Sequence, residues 1–273
     1  MLARLLGDPW QLLDAIVDGP LHPGGDEATR ALLDRAGVEP GTRVLDVGCG
    51  TGELTRVLRE ETDGDVVAVD ADRDLLADAP ADARAVGDAT RLPFRDGAFD
   101  LVVCQALLIN LPDPLAAVTE FARVSSNLVA CVEPDNSEVV VESTVAAEAP
   151  LAKRARDTYI AGVETDVTLG ARVDERFSAA GLCDVETRRH EHERAVAPPY
   201  EASALESAKR KARGTRIDQQ AATLERGGLS RADVDDLKQE WRAMGRAVVE
   251  QMAAGEYERR AAVPFYVTTG RVD

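Results

Sequence analysis

Val44-Leu45-Asp46-Val47-Gly48-Cys49-Gly50-Thr51-Gly52 decides the fold. A short apolar run, residues 43–47, enters three glycines at alternate positions, and helical spacing follows over 52–61. That is a buried strand, a tight turn and a helix. Glycine lets the backbone turn sharply and come close to a ligand, and the helix start offers free backbone N–H groups. The spacing is GxGxG and not the GxGxxG of dinucleotide sites: Glu53 stands where the third glycine of that motif falls. Asp46 precedes the first glycine. A carboxylate there can bond a ligand ammonium directly or through water, or brace the loop. It would repel a pyrophosphate, so an amino-acid-like ligand fits better than a diphosphate.

The same rhythm continues outward. Residues 66–70, 83–87, 99–104 and 127–132 read as strands, and 72–79 and 113–124 as helices. Strand and helix alternating at this pace imply a parallel sheet covered on both faces, with ligands at the carboxyl ends of the strands. Three further residues fall at that edge. Asp70 ends the second strand about 20 residues past the glycine loop, where an acid accepts hydrogen bonds from ribose hydroxyls. Asp88 follows the third strand and can accept from an adenine amino group. Gln105 ends the fourth strand beside the loop.

Flanking segments are less regular. Residues 2–17 and 26–37 have helical spacing. Helices are expected at 148–166 and 174–180, a sixth strand at 184–196, two or three helices in 200–258, and a last strand at 263–272. The expectation is an α/β, doubly wound, mainly parallel seven-stranded sheet with N-terminal helices and a helical cap inserted before the last strand. The boundaries are 1–40 for an N-terminal helical lid, 41–198 and 262–273 for the core with a cap segment at about 135–170, and 199–261 for the helical insertion.

Four pieces in order, VLDVGCGTG, VVAVDAD, GDATRLPF and DGAFDLVVCQALLINLPDP, resemble the class I S-adenosylmethionine-dependent methyltransferases. The likeness is to the branch with the ubiquinone/menaquinone and related small-molecule enzymes, and it implies a Rossmann-like methyltransferase fold. It also implies roles. Gly48, Cys49, Gly50 and Gly52 form the loop along the methionine part of the cofactor, and Asp46 supports its amino group. Asp70 holds the ribose hydroxyls, Ala71 packs against adenine, Asp88 and Ala89 meet the adenine edge, and Gln105 lies near the methionine moiety. The product would be S-adenosylhomocysteine. Many relatives carry histidine after the fourth strand, where this chain has Leu108-Ile109-Asn110, so no basic group is carried over there.

No general base is identified. Candidates for the acceptor side are His22, in the turn before the second expected helix, Tyr159 in the cap segment, and Glu133 after the fifth strand. Tyr200 also falls in a cap segment, His190 and His192 read as solvent-facing, and 209–213 reads as a solvated basic helix face.

Composition narrows the partners. The net charge is −17, and Lys153, Lys209, Lys211 and Lys238 are the only lysines. An acidic chain argues against nucleic acid as partner, and with so little lysine it fits a halophilic archaeal source. The four cysteines, Cys49, Cys104, Cys131 and Cys183, include no CxxC pair, which supports no zinc site. No apolar run of about 18 residues suggests a membrane span. The N-terminus lacks a signal-peptide layout, so a cytoplasmic location is expected. The sum is methyl transfer to a small-molecule acceptor, with a homodimer compatible. The competing readings are an RNA or protein methyltransferase and a non-catalytic S-adenosylmethionine-binding protein. An NAD-dependent oxidoreductase is disfavoured by the glycine spacing.

Overall fold

The computed structural model describes residues 41–62 and 65–273. The expected helices at 2–17 and 26–37, the lid and His22 lie outside these residues.

Strand β1 (Val44–Val47) is buried at every position and lies between β2 (Val66–Asp70) and β4 (Phe99–Gln105), parallel to both. Strand β3 (Ala83–Val86) extends the sheet beyond β2, and β5 (Ser125–Pro134) extends it beyond β4, again parallel. The runs are continuous Val, Leu, Ala and Cys because both faces are covered. Chain order reverses between β1 and β4, and this is the point at which open α/β sheets form their crevice.

Helices α1 (Glu53–Thr62), α2 (Arg73–Asp78) and α3 (Pro114–Val124) make the crossovers. The local signals for α3 are complete. Asp113 accepts the Ala116 N–H as N-cap, Pro114 occupies the first turn, and Ala117, Val118, Phe121 and Val124 form the buried stripe. Helix α2 begins on Asp72, whose carboxylate accepts from the Asp74 and Leu75 N–H groups.

Beyond β5 the sheet turns antiparallel. Strand β8 (Arg259–Arg271) pairs with β5 from Phe265 to Arg271 and with the short β6 (Val140–Ser143) from Arg259 to Ala262. Its other edge pairs with β7 (Cys183–Val196). The described residues therefore hold eight strands, one more than expected. Strand β6 was missed because four residues with alternating exposure carry too little apolar signal. Strand β8 also starts at Arg259, four residues before the expected start at 263: Arg259, Arg260 and two alanines look helical in isolation, and the β7 ladder makes them extended.

Helices α4 (Glu148–Gly162) and α5 (Val173–Ala179) precede β7, and α6 (Ala202–Arg213), α7 (Thr215–Arg226) and α8 (Arg231–Ala254) separate β7 from β8. Phe177 of α5 packs on the sheet core with Phe99, Phe121 and Phe265. Helices α4, α6, α7 and α8 bury a second core of their own, around Tyr159, Ile217, Leu237, Trp241 and Tyr257. A capping box of Ser230 and Asp233 starts α8. Gly245 lets α8 cross α6 closely: a Cβ there would lie 2.3 Å from the Ala212 nitrogen.

That crossing is testable. In a Trp10→Phe background Trp241 is the sole tryptophan, and its buried indole reports on the cap core. Gly245→Ala is expected to cost about 1–3 kcal/mol through overpacking, and Ser230→Ala about 1 kcal/mol through loss of the cap. Urea unfolding followed by fluorescence measures both, and an unchanged midpoint for Gly245→Ala would contradict the close crossing.

Candidate cofactor and active site

All five parallel strands end at one edge, and the segments that follow them form its surface. Residues 48–52 follow β1, 71–72 follow β2, 87–90 follow β3, 106–110 follow β4 and 135–138 follow β5.

The glycine loop is held from below by β2. The Gly48 and Cys49 N–H groups donate to the Val69 carbonyl (2.7 and 3.1 Å), and Gly50 N–H donates to Asp70 Oδ2 (2.8 Å). Gly52 N–H closes the turn onto the Cys49 carbonyl (2.9 Å). Four N–H groups of the loop, those of Gly48, Cys49, Gly50 and Gly52, are thus engaged within the protein. The loop instead suits a donor, such as an ammonium, because carbonyl oxygens keep a second lone pair. Two of its glycines are sterically required. A Cβ on Gly48 (φ +71°) would lie 2.7 Å from Leu107 Cδ1, and one on Gly52 (φ +88°) would lie 2.3 Å from Pro80 Cδ.

Asp46 lies beneath the loop, 1% exposed, and its Oδ2 accepts the Thr55 hydroxyl at 2.5 Å. Burial pushes its carboxyl up to about 7, opposed by the Thr55 hydrogen bond and assisted by the nearby Asp70 charge. Of the roles open to it, the structure shows the brace between β1 and α1. Asp70 is half-buried, with Oδ1 accepting from Asp72 N–H (2.8 Å) and Oδ2 from Gly50. Burial raises its pKa as well. Each of its oxygens can still accept a hydroxyl.

Ala71 is exposed at the end of β2, and Ala89 is buried after β3. Asp88 is exposed, and its Oδ1 accepts from the backbone and hydroxyl of Thr90 (2.8 and 2.7 Å), which shapes the turn. Cys49 is buried, and burial beside Asp46 and Asp70 raises its thiol pKa, so it lines the loop as a neutral group. Gln105 is buried at the end of β4. The ten residues expected at the cofactor therefore sit on the segments at this edge or directly beneath them.

Residues that sequence reasoning passed over complete the floor. Ala106 has a left-handed backbone (φ +50°), held by its N–H to the Val132 carbonyl (2.8 Å) and by Asn110 Nδ2 donating to its own carbonyl (2.7 Å). A non-glycine residue in that region stores strain, which neighbouring bonds must hold. Leu107 then covers Gly48. No sequence pattern announces a left-handed alanine.

The acceptor-side candidates fare differently. Glu133 is fully buried, and its carboxylate accepts from the N–H groups of Leu107 (3.0 Å), Leu108 (2.8 Å) and Ile109 (3.4 Å). It anchors the loop after β4 and does not present itself to a substrate. Burial pushes it up to about 7, and the three N–H groups pull the other way. Tyr159 packs in the cap core, 7% exposed, and burial pushes its hydroxyl up to about 12, so it is not brought to the loops. Tyr200 is tied to the Tyr257 backbone in both directions (3.0 and 2.9 Å). His190 and His192 are half-buried on β7, the latter edge-on to Phe265, and not solvent-facing as expected. Lys211, expected on a solvated face, is buried and paired with Glu148 at 2.6 Å.

Asp46 and Glu133 both titrate higher in the fold than in an unfolded chain. Between about pH 4 and pH 7 the folded chain then holds more protons, so the contribution of these groups to stability is complete below about pH 4 and is lost as pH rises to about 7. Melting temperature is expected to fall over that window, with a shallower fall in Glu133→Gln. An equal slope in the variant would remove Glu133 from the account. Separately, Gly48→Ala is expected to displace Leu107 and weaken nucleoside binding at least tenfold by calorimetry, while far-ultraviolet dichroism stays unchanged.

Residues 45–128 match the family described as methyltransferase domain. The chain is 43% identical over 101 residues to the demethylmenaquinone methyltransferase of Beutenbergia cavernae, which covers 35% of this chain and 41% of that protein. It is 28% identical over 150 residues to the demethylmenaquinone methyltransferase of Bacillus cereus, covering 51% and 59%. The chain thus spans about half the length of the curated relatives it matches. Among solved structures, the YcgJ protein from Bacillus subtilis superposes with a TM-score of 0.52 at 16% identity, over 90% of this chain and 98% of that one, a likeness of fold. No helix among the described residues is long and apolar enough to cross a membrane. Residues 45–128, which run from β1 into the start of β5 of the doubly wound sheet, are thus similar to a methyltransferase domain.

Proposed function

We propose that the chain transfers a methyl group from S-adenosylmethionine to a small-molecule acceptor and releases S-adenosylhomocysteine. The observation that carries this reading is the joint geometry of the glycine loop and Asp70. One carboxylate at the end of β2 fixes the loop through Gly50 N–H and keeps lone pairs for ribose hydroxyls. Asp70 adds negative potential, and Asp46 an acceptor oxygen, beside a loop whose Gly48, Cys49, Gly50 and Gly52 N–H groups are spent. That arrangement attracts a cationic amino acid nucleoside and repels a diphosphate.

When bound, S-adenosylmethionine supplies a methyl already activated on a sulfonium, so the reaction is an in-line displacement that needs orientation more than acid or base help. The protein's part is placement. Asp70 and Ala71 take the ribose and adenine side, with Asp88 and Ala89 at the adenine edge. The loop 48–52 and Gln105 take the amino acid side. Glu133 holds 107–109 in the conformation that puts Leu107 over Gly48. Its carboxylate is filled by backbone donors, so Glu133 is not the group that takes a proton from the acceptor. The menaquinone-directed relatives favour an apolar ring as acceptor, and the net charge of −17 disfavours nucleic acid.

Calorimetry with S-adenosylmethionine, S-adenosylhomocysteine and NAD tests the site. The first two are expected to bind and NAD not. Asp70→Ala, which removes charge-assisted hydrogen bonds worth about 1.5–3 kcal/mol each, is expected to weaken binding by roughly 10- to 150-fold or more. Methyl-labelled S-adenosylmethionine with a small-molecule extract is then expected to yield a labelled metabolite. Binding of NAD in place of the two sulfur nucleosides would sink the reading.

A further inference from the structure

Among the described residues, the interior of the cap gathers four buried cations, Arg156, Lys211, Arg216 and Arg259, around one buried carboxylate, Glu148. Glu148, 1% exposed, accepts from Lys211 Nζ (2.6 Å) and the Tyr257 hydroxyl (2.9 Å), and Arg259 Nε lies 3.2 Å from it. That carboxylate is already shared between two cations. Behind it stand Arg156 on α4 and Arg216 on α7, only 4% and 8% exposed. Asp157 reaches Arg156 Nε only at 4.0 Å, and it is itself largely open to water. Arg216 sits over the Trp241 ring at 5.1 Å. Burial, together with the like charges of Arg259 and Arg156, pushes the Arg216 guanidinium down to about 9.

Several of these buried groups make no hydrogen bond. They are Arg156 Nε, Arg216 Nε and Nη2, both polar atoms of the Gln220 amide, and the Trp241 indole N–H. Arg216 and Gln220 are four residues apart on α7 and share a face. An unpaired buried cation is among the most destabilising features a fold can carry. It is retained where a ligand completes it. A guanidinium fork beside an amide matches the planar or tetrahedral oxygens of a carboxylate or phosphate. A cavity of about 190 Å³ between β7 and α6 reaches the Glu148 side of the cluster, where Lys211, Tyr257 and Arg259 line it; Arg156, Arg216 and Gln220 lie behind that wall.

We propose that Arg156, Arg216 and Gln220 form an oxyanion site within the cap, which takes the carboxylate or phosphate group of a ligand. The ligand is either an acidic methyl acceptor or a free anion. The anion site stands independently of the methyl-transfer reading, because its residues lie on α4 and α7 and not on the loops of the sheet edge; only the identification of its anion with a methyl acceptor rests on that reading.

Melting curves of the full chain in chloride-free buffer, titrated with inorganic phosphate and separately with benzoate, test it. The wild type is expected to gain several degrees in a saturable manner with at least one of them. Arg216→Met and Gln220→Leu are each expected to lose that saturable gain, and Arg216→Met to melt higher than wild type without anion because it removes an unpaired buried charge. General salting effects raise all three alike, so identical responses in wild type and both variants would overturn the site. Calorimetry with S-adenosylhomocysteine on the same samples is expected to be unchanged, which keeps a failure here separate from a failure of the cofactor site. Labelled product from an extract then separates the two sources. Retention on an anion exchanger, with turnover lost in Arg216→Met through a raised KM, marks an acidic acceptor. A neutral product with the anion response intact marks a free anion.

Discussion

The end of β2 carries the site. The Val69 carbonyl and the Asp70 carboxylate accept three N–H groups from the segment that follows β1, and through them the glycine loop takes the one shape in which Gly48 lies under Leu107. Asp46 and Thr55 lock the same segment from the other side by tying β1 to α1. A loop pinned this way cannot offer those N–H groups to a phosphate. It can offer oxygen to a cation, and the acidic residues around it set the sign of the field.

Glu133 plays the matching part on the opposite side of the crevice. A carboxylate buried in a sheet core is costly unless several donors meet it. Here the donors are consecutive backbone N–H groups of the loop after β4, so the cost of burial is met by ordering a loop. The left-handed Ala106 stands at the head of that loop, held by the Val132 carbonyl and Asn110. Two buried acids, Asp46 and Glu133, thus act as tent pegs for the two loops between which a nucleoside would lie, and both leave their mark in the dependence of stability on pH.

The cap differs in kind. Its core is apolar where α4, α7 and α8 meet Trp241 and Leu237, yet basic where Arg156, Arg216, Lys211 and Arg259 converge. The sheet edge and the cap therefore present opposite fields, one suited to a cationic cofactor and the other to an acid group.

The order of strands β1 to β5, the turn at 48–52 and the acids at 46, 70 and 88 were legible in the chain, because buried parallel strands and glycine turns are local features with strong residue preferences. Other features were decided only by tertiary contact. Strand β6 exists because it pairs with the start of β8, and the start of β8 because it pairs with β6 on one edge and β7 on the other; no local preference marks them. Glu133 looked like a substrate contact and became an anchor because backbone N–H groups from a distant loop converge on it. Lys211, in a run that reads as a solvated basic face, ended inside the cap because Glu148, 63 residues away, meets it there. Sequence pattern reports which residues prefer burial or a turn; which charge meets which partner depends on contacts between segments far apart in the chain.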